Sequence, residues 1–224
     1  MKKYAVIVAG GSGLRMGTAV PKQFLLVRDK TVLWHTLTAF LNSYSDLEII
    51  LVLHKDHIQT GLEIISSTYS PKRIGVTVGG ETRFHSVQNG LKHIFQHSVV
   101  FVHDGVRCLV TPELIRNCYE ETIKQGNAVP AVTAVDTIRL ESAFGNEQVD
   151  RNKVRIIQTP QTFFSDMIKA AFEQDYDDVF TDEASVVERL GVKINLVNGD
   201  ASNIKITKPV DLLIAEKVLE ERSL

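Results

Sequence analysis

Tyr4-Ala5-Val6-Ile7-Val8-Ala9-Gly10-Gly11-Ser12-Gly13-Leu14-Arg15-Met16-Gly17, closed by Pro21-Lys22-Gln23, is an apolar run that breaks into a glycine-rich turn and then into cations. The run Tyr4–Val8 predicts a first β-strand. Gly10, Gly11 and Gly13 let the backbone fold back and aim its N–H groups at a bulky anion, with no Cβ in the way. Ala9 joins them at the end of the strand, and Arg15 and Lys22 set two positive charges within reach of the same turn. Such a combination makes a site for a triphosphate. Spacing excludes two other glycine loops. A Walker A loop closes on Gly-Lys-Ser/Thr, whereas Thr18-Ala19 follow Gly17 and Lys22 comes too late. A dinucleotide fingerprint needs a third glycine where Met16 stands, and an acid after the second strand, which here runs out in Leu53-His54-Lys55.

Working outward, apolar strands alternate with amphipathic helices. Strands are predicted at Tyr4–Val8, Glu48–Leu53, Ile74–Val78, Val99–His103 and Ala128–Val132. Helices are predicted near Val32–Leu41, His57–Ser67, Phe84–Phe95 and Glu113–Gln125, the last capped by Thr111 with Pro112 in its first turn and stopped by Gly126. This is the pattern of an α/β fold, a Rossmann-like, mainly parallel twisted sheet with helices on both faces. With 224 residues, 44% of them hydrophobic, one domain over 1–224 is the economical reading. From Asp136 to Arg151 the rhythm breaks. Two short β segments around a Gly145-Asn146 turn form a protruding hairpin, 136–151, with little apolar surface for a core of its own.

A formal net charge of −2 gives no reason to expect nucleic acid or an anionic membrane as partner. No apolar run reaches the length of a membrane span, and the five-residue strand after Met-Lys-Lys is too short for a signal peptide, so a cytosolic protein is expected. Cys108 and Cys118 are expected as reduced thiols: Cys118 in the core, and Cys108, next to Arg107, with a lowered pKa and some reactivity. No histidine pairs with them at zinc-ligand spacing.

Six blocks carry a family resemblance: AGGSGLRMG with PKQF (9 to 24), GGETRFHSVQNGL (79 to 91), VHDGVR (102 to 107), AVDTIR (134 to 139), QTPQTF (158 to 163), and TDEAS (181 to 185) with NIKITKPVDL (203 to 212). In this order they resemble the nucleotidyltransferases that join a nucleotide to a sugar or polyol phosphate, and more narrowly the 2-C-methyl-D-erythritol 4-phosphate cytidylyltransferase family. The resemblance implies cytidylyl transfer from CTP to a polyol phosphate, Mg²⁺ held mainly by the triphosphate, and a homodimer formed through the 136–151 arm.

By the same resemblance, Arg15 and Lys22 stabilise the transition state, while Arg151 and Lys205 hold the attacking phosphate. Gly80, Glu81 and Ser86 contact the cytosine and its ribose; helix capping by Thr82 is the alternative use of that turn. Asp104 and Arg107 face the polyol, and Asp104 is a possible ligand of a metal-bound water. An internal Asp104–Arg107 ion pair is the other reading, since a carboxylate at the end of a buried strand needs a partner. Thr137, Thr159 and Thr181 are further substrate contacts; Thr181 is also expected to cap a helix that carries Asp182 and Glu183 in its first turn. Lys205 alternates with Ile204 and Ile206, which predicts that it projects from the exposed face of a strand. The sequence departs from the family at Gly105-Val106-Arg107-Cys108, where Ala-Ala-Arg-Pro is commoner; both charged residues remain. A ribitol 5-phosphate cytidylyltransferase shares many blocks, but Ala184-Ser185 and the short Ala19-Val20 spacer favour the methylerythritol enzyme. A non-catalytic nucleotide-binding module would not need two phosphate clamps.

Overall fold

The computed structural model describes residues 1–11, 20–68 and 70–222. Its strands, in chain order, are β1 (Lys3–Ala9), β2 (Leu26–Val27), β3 (Lys30–Thr31), β4 (Leu47–Leu53), β5 (Ile74–Val78), β6 (Val99–Asp104), β7 (Asn127–Thr133), β8 (Ile138–Ser142), β9 (Gly145–Val149), β10 (Arg155–Ile157), β11 (Gln161–Phe164) and β12 (Leu196–Asn198). The helices are α1 (Val32–Ser43), α2 (Ile58–Ser66), α3 (Arg83–Leu91), α4 (Pro112–Gln125), α5 (Ser165–Ala171), α6 (Glu183–Glu188) and α7 (Pro209–Glu221).

An eight-stranded sheet has the order β10-β7-β11-β6-β1-β4-β5, with β12 paired to β7. β5, β4, β1 and β6 are mutually parallel, whereas β11 runs antiparallel to both β6 and β7. Period-two alternation decides which side chain enters which layer. Ala5, Ile7 and Ala9 of β1 pack with α1, α2 and α4, while Val6 packs on the opposite face with α3, α5 and α6. Helices therefore cover both faces, as in a doubly wound sheet. A third, smaller cluster joins α7 to Val106, Cys108, Leu109 and Ile206.

Local signals explain the element ends. The Thr111 hydroxyl accepts from the Leu114 amide at the start of α4, and Gly126 ends that helix at a φ of +91°, which favours glycine. α3 stops at Leu91, short of the expected Phe95, although Ile94 is still buried in the turn that follows.

Three expectations are corrected. The hairpin turns at Ala143-Phe144, not at Gly145-Asn146: Ser142 pairs with Gly145 as the closing pair, and Asn146 is held in β9 by a hydrogen bond from Arg139. α6 is capped by Asp182, whose carboxylate accepts from the Ser185 amide at 2.9 Å in a reciprocal capping box; Thr181 lies before the cap and is exposed. Residues 203–207 are outside any strand, tied instead by a 2.9 Å bond from the Ile206 amide to the Val106 carbonyl.

Candidate active site

Parallel strands leave their carboxyl ends at one edge, where ligands of open α/β sheets collect. The register sets Val8 beside Asp104, and Ala9 beside Leu53. A cleft of about 510 Å³ opens there, lined by Ala9, Gly10, Gly11, Lys22, Gln23, His54, Gly80, Glu81, Thr82, Arg83, Ser86, Asp104 and Lys205, among others. Residues from one end of the chain to nearly the other are brought together. Gly13 and Arg15 lie outside the described residues.

The two glycine segments are shaped by buried polar groups. Gln23, 1% exposed, donates to the carbonyls of Ala9 (2.8 Å) and Gly11 (3.1 Å), fixing the entry of the glycine loop next to Lys22. On the other wall, the Ser86 hydroxyl accepts from the Gly80 amide at 3.1 Å and donates to the Thr82 carbonyl at 2.9 Å. A Cβ on Gly80 would lie 2.4 Å from the Cβ of His85, so the loop packs this close to α3 only with glycine there. The Thr82 hydroxyl accepts from the His85 amide and caps α3.

Asp104 is the electrostatic centre. It is buried, its Oδ1 lies 3.2 Å from Arg83 Nε, and its Oδ2 lies 3.0 Å from Lys205 Nζ and 3.5 Å from Arg107 Nε. Burial alone would push this carboxyl up, but Arg83, Lys205 and Arg107 outweigh it and hold it below the usual carboxylate range. Arg83 also grips the fully buried Glu183 through both terminal nitrogens, at 2.5 and 3.1 Å. Burial works against the Arg83 charge, yet Glu183 and Asp104 together raise its pKa; burial raises that of Glu183, against the pull of Arg83.

The structure separates the remaining site candidates. Arg107 turns inward: it donates to the Asn203 carbonyl at 2.9 Å, stands behind Asp104, and is not among the cleft-lining residues, so the internal ion pair describes it. Thr159 is 4% exposed, and its hydroxyl bridges His103 Nδ1 (2.9 Å) and the Asp104 amide (3.2 Å), which leaves it shaping the site from beneath. Gln158 and Asn203 likewise serve the framework, the first bonding Asp200 and the second the Thr159 carbonyl. Thr137 and Arg151 share a separate concavity at the base of the hairpin, where Arg151 donates to the Val135 carbonyl at 2.8 Å. Cys108 is corrected outright: it is 3% exposed, and burial pushes its thiol up to about 12, so adjacency to Arg107 does not make it reactive.

Both oxygens of Asp104 face cations, so its charge is balanced by Arg83, Arg107 and Lys205. Among the described residues no cluster of three or more His, Cys, Asp or Glu could hold a metal ion, and no helix is long and apolar enough to cross a membrane.

His103, fully buried between Thr159 and the Arg107 carbonyl, is lowered to about 3 by burial. It stays neutral in the folded chain, while the unfolded chain protonates it below its ordinary 6.5. Its contribution to stability is therefore complete above 6.5 and is lost as pH falls towards 3, at up to ~1.4 kcal/mol per pH unit. Glu183 acts in the opposite sense, so the variant comparison is needed to isolate His103. Urea unfolding at pH 7.0 and 5.0 should show a larger loss for wild type than for His103→Gln, by about 1 to 2 kcal/mol. Equal losses would refute the assignment.

The family model of 2-C-methyl-D-erythritol 4-phosphate cytidylyltransferase matches residues 4–221. The proteins of that name from Bacteroides thetaiotaomicron and Phocaeicola vulgatus are 45% and 44% identical to this chain over 219 residues, covering 98% of it and all of their own length. The crystal structure of 4-diphosphocytidyl-2C-methyl-D-erythritol synthase from Anaerococcus prevotii aligns with a TM-score of 0.84 at 30% identity, over 98% of each chain. The Thermus thermophilus 2-C-methyl-D-erythritol 4-phosphate cytidylyltransferase aligns at 0.76 and 30%, over 98% of this chain and 100% of its own. The glycine-loop entry, the cationic cleft and the full-length likeness agree, and this chain belongs to the 2-C-methyl-D-erythritol 4-phosphate cytidylyltransferase family.

Proposed function

We propose that this protein transfers the cytidylyl group of CTP to 2-C-methyl-D-erythritol 4-phosphate, releasing pyrophosphate, in non-mevalonate isoprenoid precursor synthesis. The observation that carries the reading is the single cleft in which Lys22 and the glycine-loop entry, the Gly80-Glu81 turn, and the Asp104–Lys205 pair face one another. A phosphate oxygen of the polyol attacks the α-phosphorus of CTP, and the bond from that phosphorus to the β,γ-pyrophosphate breaks. A phosphate monoester is already ionised near neutral pH, so no general base is needed. The task is to bring two anions together and to stabilise charge on the leaving group.

Lys22, with Arg15, serves the triphosphate; Lys205, with Arg151, serves the attacking phosphate. Gly80, Glu81 and Ser86 face the base and ribose, and Asp104 presents a carboxylate to the polyol hydroxyls. Mg²⁺ is assigned to the CTP phosphates, as the family resemblance implies. Thr137 and Arg151 reach a site from the arm of a twofold partner. Exposed apolar groups on and beside that arm support this: Phe144 is fully exposed, as are most of Val135 and Leu140. Thr181, exposed at the mouth of α6, is retained as a polyol contact. The free, buried Cys108 and Cys118 suit a reducing compartment, the cytosol.

Pyrophosphate release with CTP and each polyol phosphate in turn tests the reading. Methylerythritol 4-phosphate should support turnover and ribitol 5-phosphate should not; the reverse would move the chain to the ribitol enzymes.

A further inference from the structure

Glu183 is 0% exposed, yet it sits in the first turn of a short helix that Asp182 already caps. Capping therefore does not explain why a second acid is buried. Its two oxygens take both terminal nitrogens of Arg83, and the third nitrogen of that guanidinium, Nε, reaches Asp104 Oδ1 at 3.2 Å. Arg83 is thus held as a fixed fork on Glu183, and its Nε–H anchors Oδ1 of Asp104. With Oδ1 taken, Oδ2 is the oxygen that meets Lys205, at 3.0 Å, with Arg107 Nε behind it at 3.5 Å. The helix bearing Glu183 is pinned in turn. Gln161 of β11 accepts from the Ala184 amide at 2.7 Å and donates to Asp182 at 2.8 Å.

We infer that Glu183 and Arg83 are positioning residues for the phosphate clamp: Glu183 holds Arg83, Arg83 orients Asp104, and Asp104 holds the ammonium of Lys205 where the polyol phosphate arrives. The relay starts on α6 and ends on the segment carrying Lys205. A buried ion pair is weak evidence for a purely stabilising role, since well-packed apolar groups often serve as well or better. What apolar groups cannot supply is the orientation of a neighbouring carboxylate. The inference rests on Lys205 being the phosphate ligand. That reading is checked separately by wild-type turnover and by Lys205→Ala, which should raise KM for the polyol phosphate.

The deciding variant is Glu183→Gln, which keeps shape and removes the charge that fixes the fork. KM for the polyol phosphate should rise about tenfold and turnover should fall by about tenfold or more, as small misplacements of a reacting group do. KM for CTP should stay within about twofold, because the glycine loop and Lys22 are untouched. Thermal unfolding measured alongside tells whether the variant is folded. If it is not, Arg83→Lys, which keeps the charge and loses the fork, is read by the same constants. A folded variant with unchanged KM for the polyol phosphate would overturn the inference, as would equal losses for both substrates. An inactive wild type, or a Lys205→Ala with unaltered polyol KM, would instead refute the reading beneath it.

Discussion

Lys22→Ala should cut turnover by about a hundredfold or more, the usual loss when a donor to a developing transition-state charge is removed. CTP affinity should fall much less. Lys22 lines the cleft beside the entry of the glycine loop, and the buried Gln23 next to it fixes that entry through the carbonyls of Ala9 and Gly11. A cation on that wall adds most where charge grows, as the leaving pyrophosphate separates. Steady-state kinetics and equilibrium titration with CTP separate the two quantities. Near-normal turnover with a large loss of affinity would show that Lys22 only binds.

The second large effect concerns the twofold reading. Within one chain, Arg151 and Thr137 form their own concavity rather than lining the cleft that holds Lys22. If Arg151 acts in the cleft of a partner, Lys22→Ala and Arg151→Ala homodimers should each be nearly inactive. Mixed and allowed to exchange, they form heterodimers in which one site carries both lesions and the other carries neither. Random pairing makes half the dimers mixed, so activity should recover to roughly a quarter of wild type. Recovery would not occur if both residues of a site came from one subunit. No rescue, with exchange demonstrated independently, would refute the shared site.

The parallel strands are legible because each is a short, nearly continuous apolar run set between amphipathic helices, whereas β11 and β12 are not. Tyr4–Val8, Glu48–Leu53 and Val99–His103 each extend by only one or two residues in the structure. Cleft residues were legible where glycines and cations cluster, as at Gly10, Gly11, Lys22 and Gly80. Glu183 was not. An acid after Thr-Asp at a helix start has a sufficient local explanation in capping, and only its burial against Arg83 shows another use. Arg83 is hidden in the same way: it lies within the Gly79–Leu91 block, but its partners lie 21 and 100 residues away. Cys108 misled for the complementary reason, since adjacency to a cation says nothing about depth. Asn146 gave a turn signal that Arg139 overrides from across the hairpin.

The order in which the ribosome delivers this cluster has a consequence of its own. Asp104 and its neighbours Arg83 and Arg107 are made early, but Glu183 and Lys205 follow long after. β6 also waits for β11 on its other flank. Closing such distant contacts is slow, because the chain entropy must be lost before the contact forms. A nascent chain that has emerged only as far as α4 already holds both glycine segments of the cleft, those around Gly10 and Gly80. It lacks Lys205, the lysine that balances Asp104. The ion cluster is thus completed only once Lys205 has been made, well after Asp104.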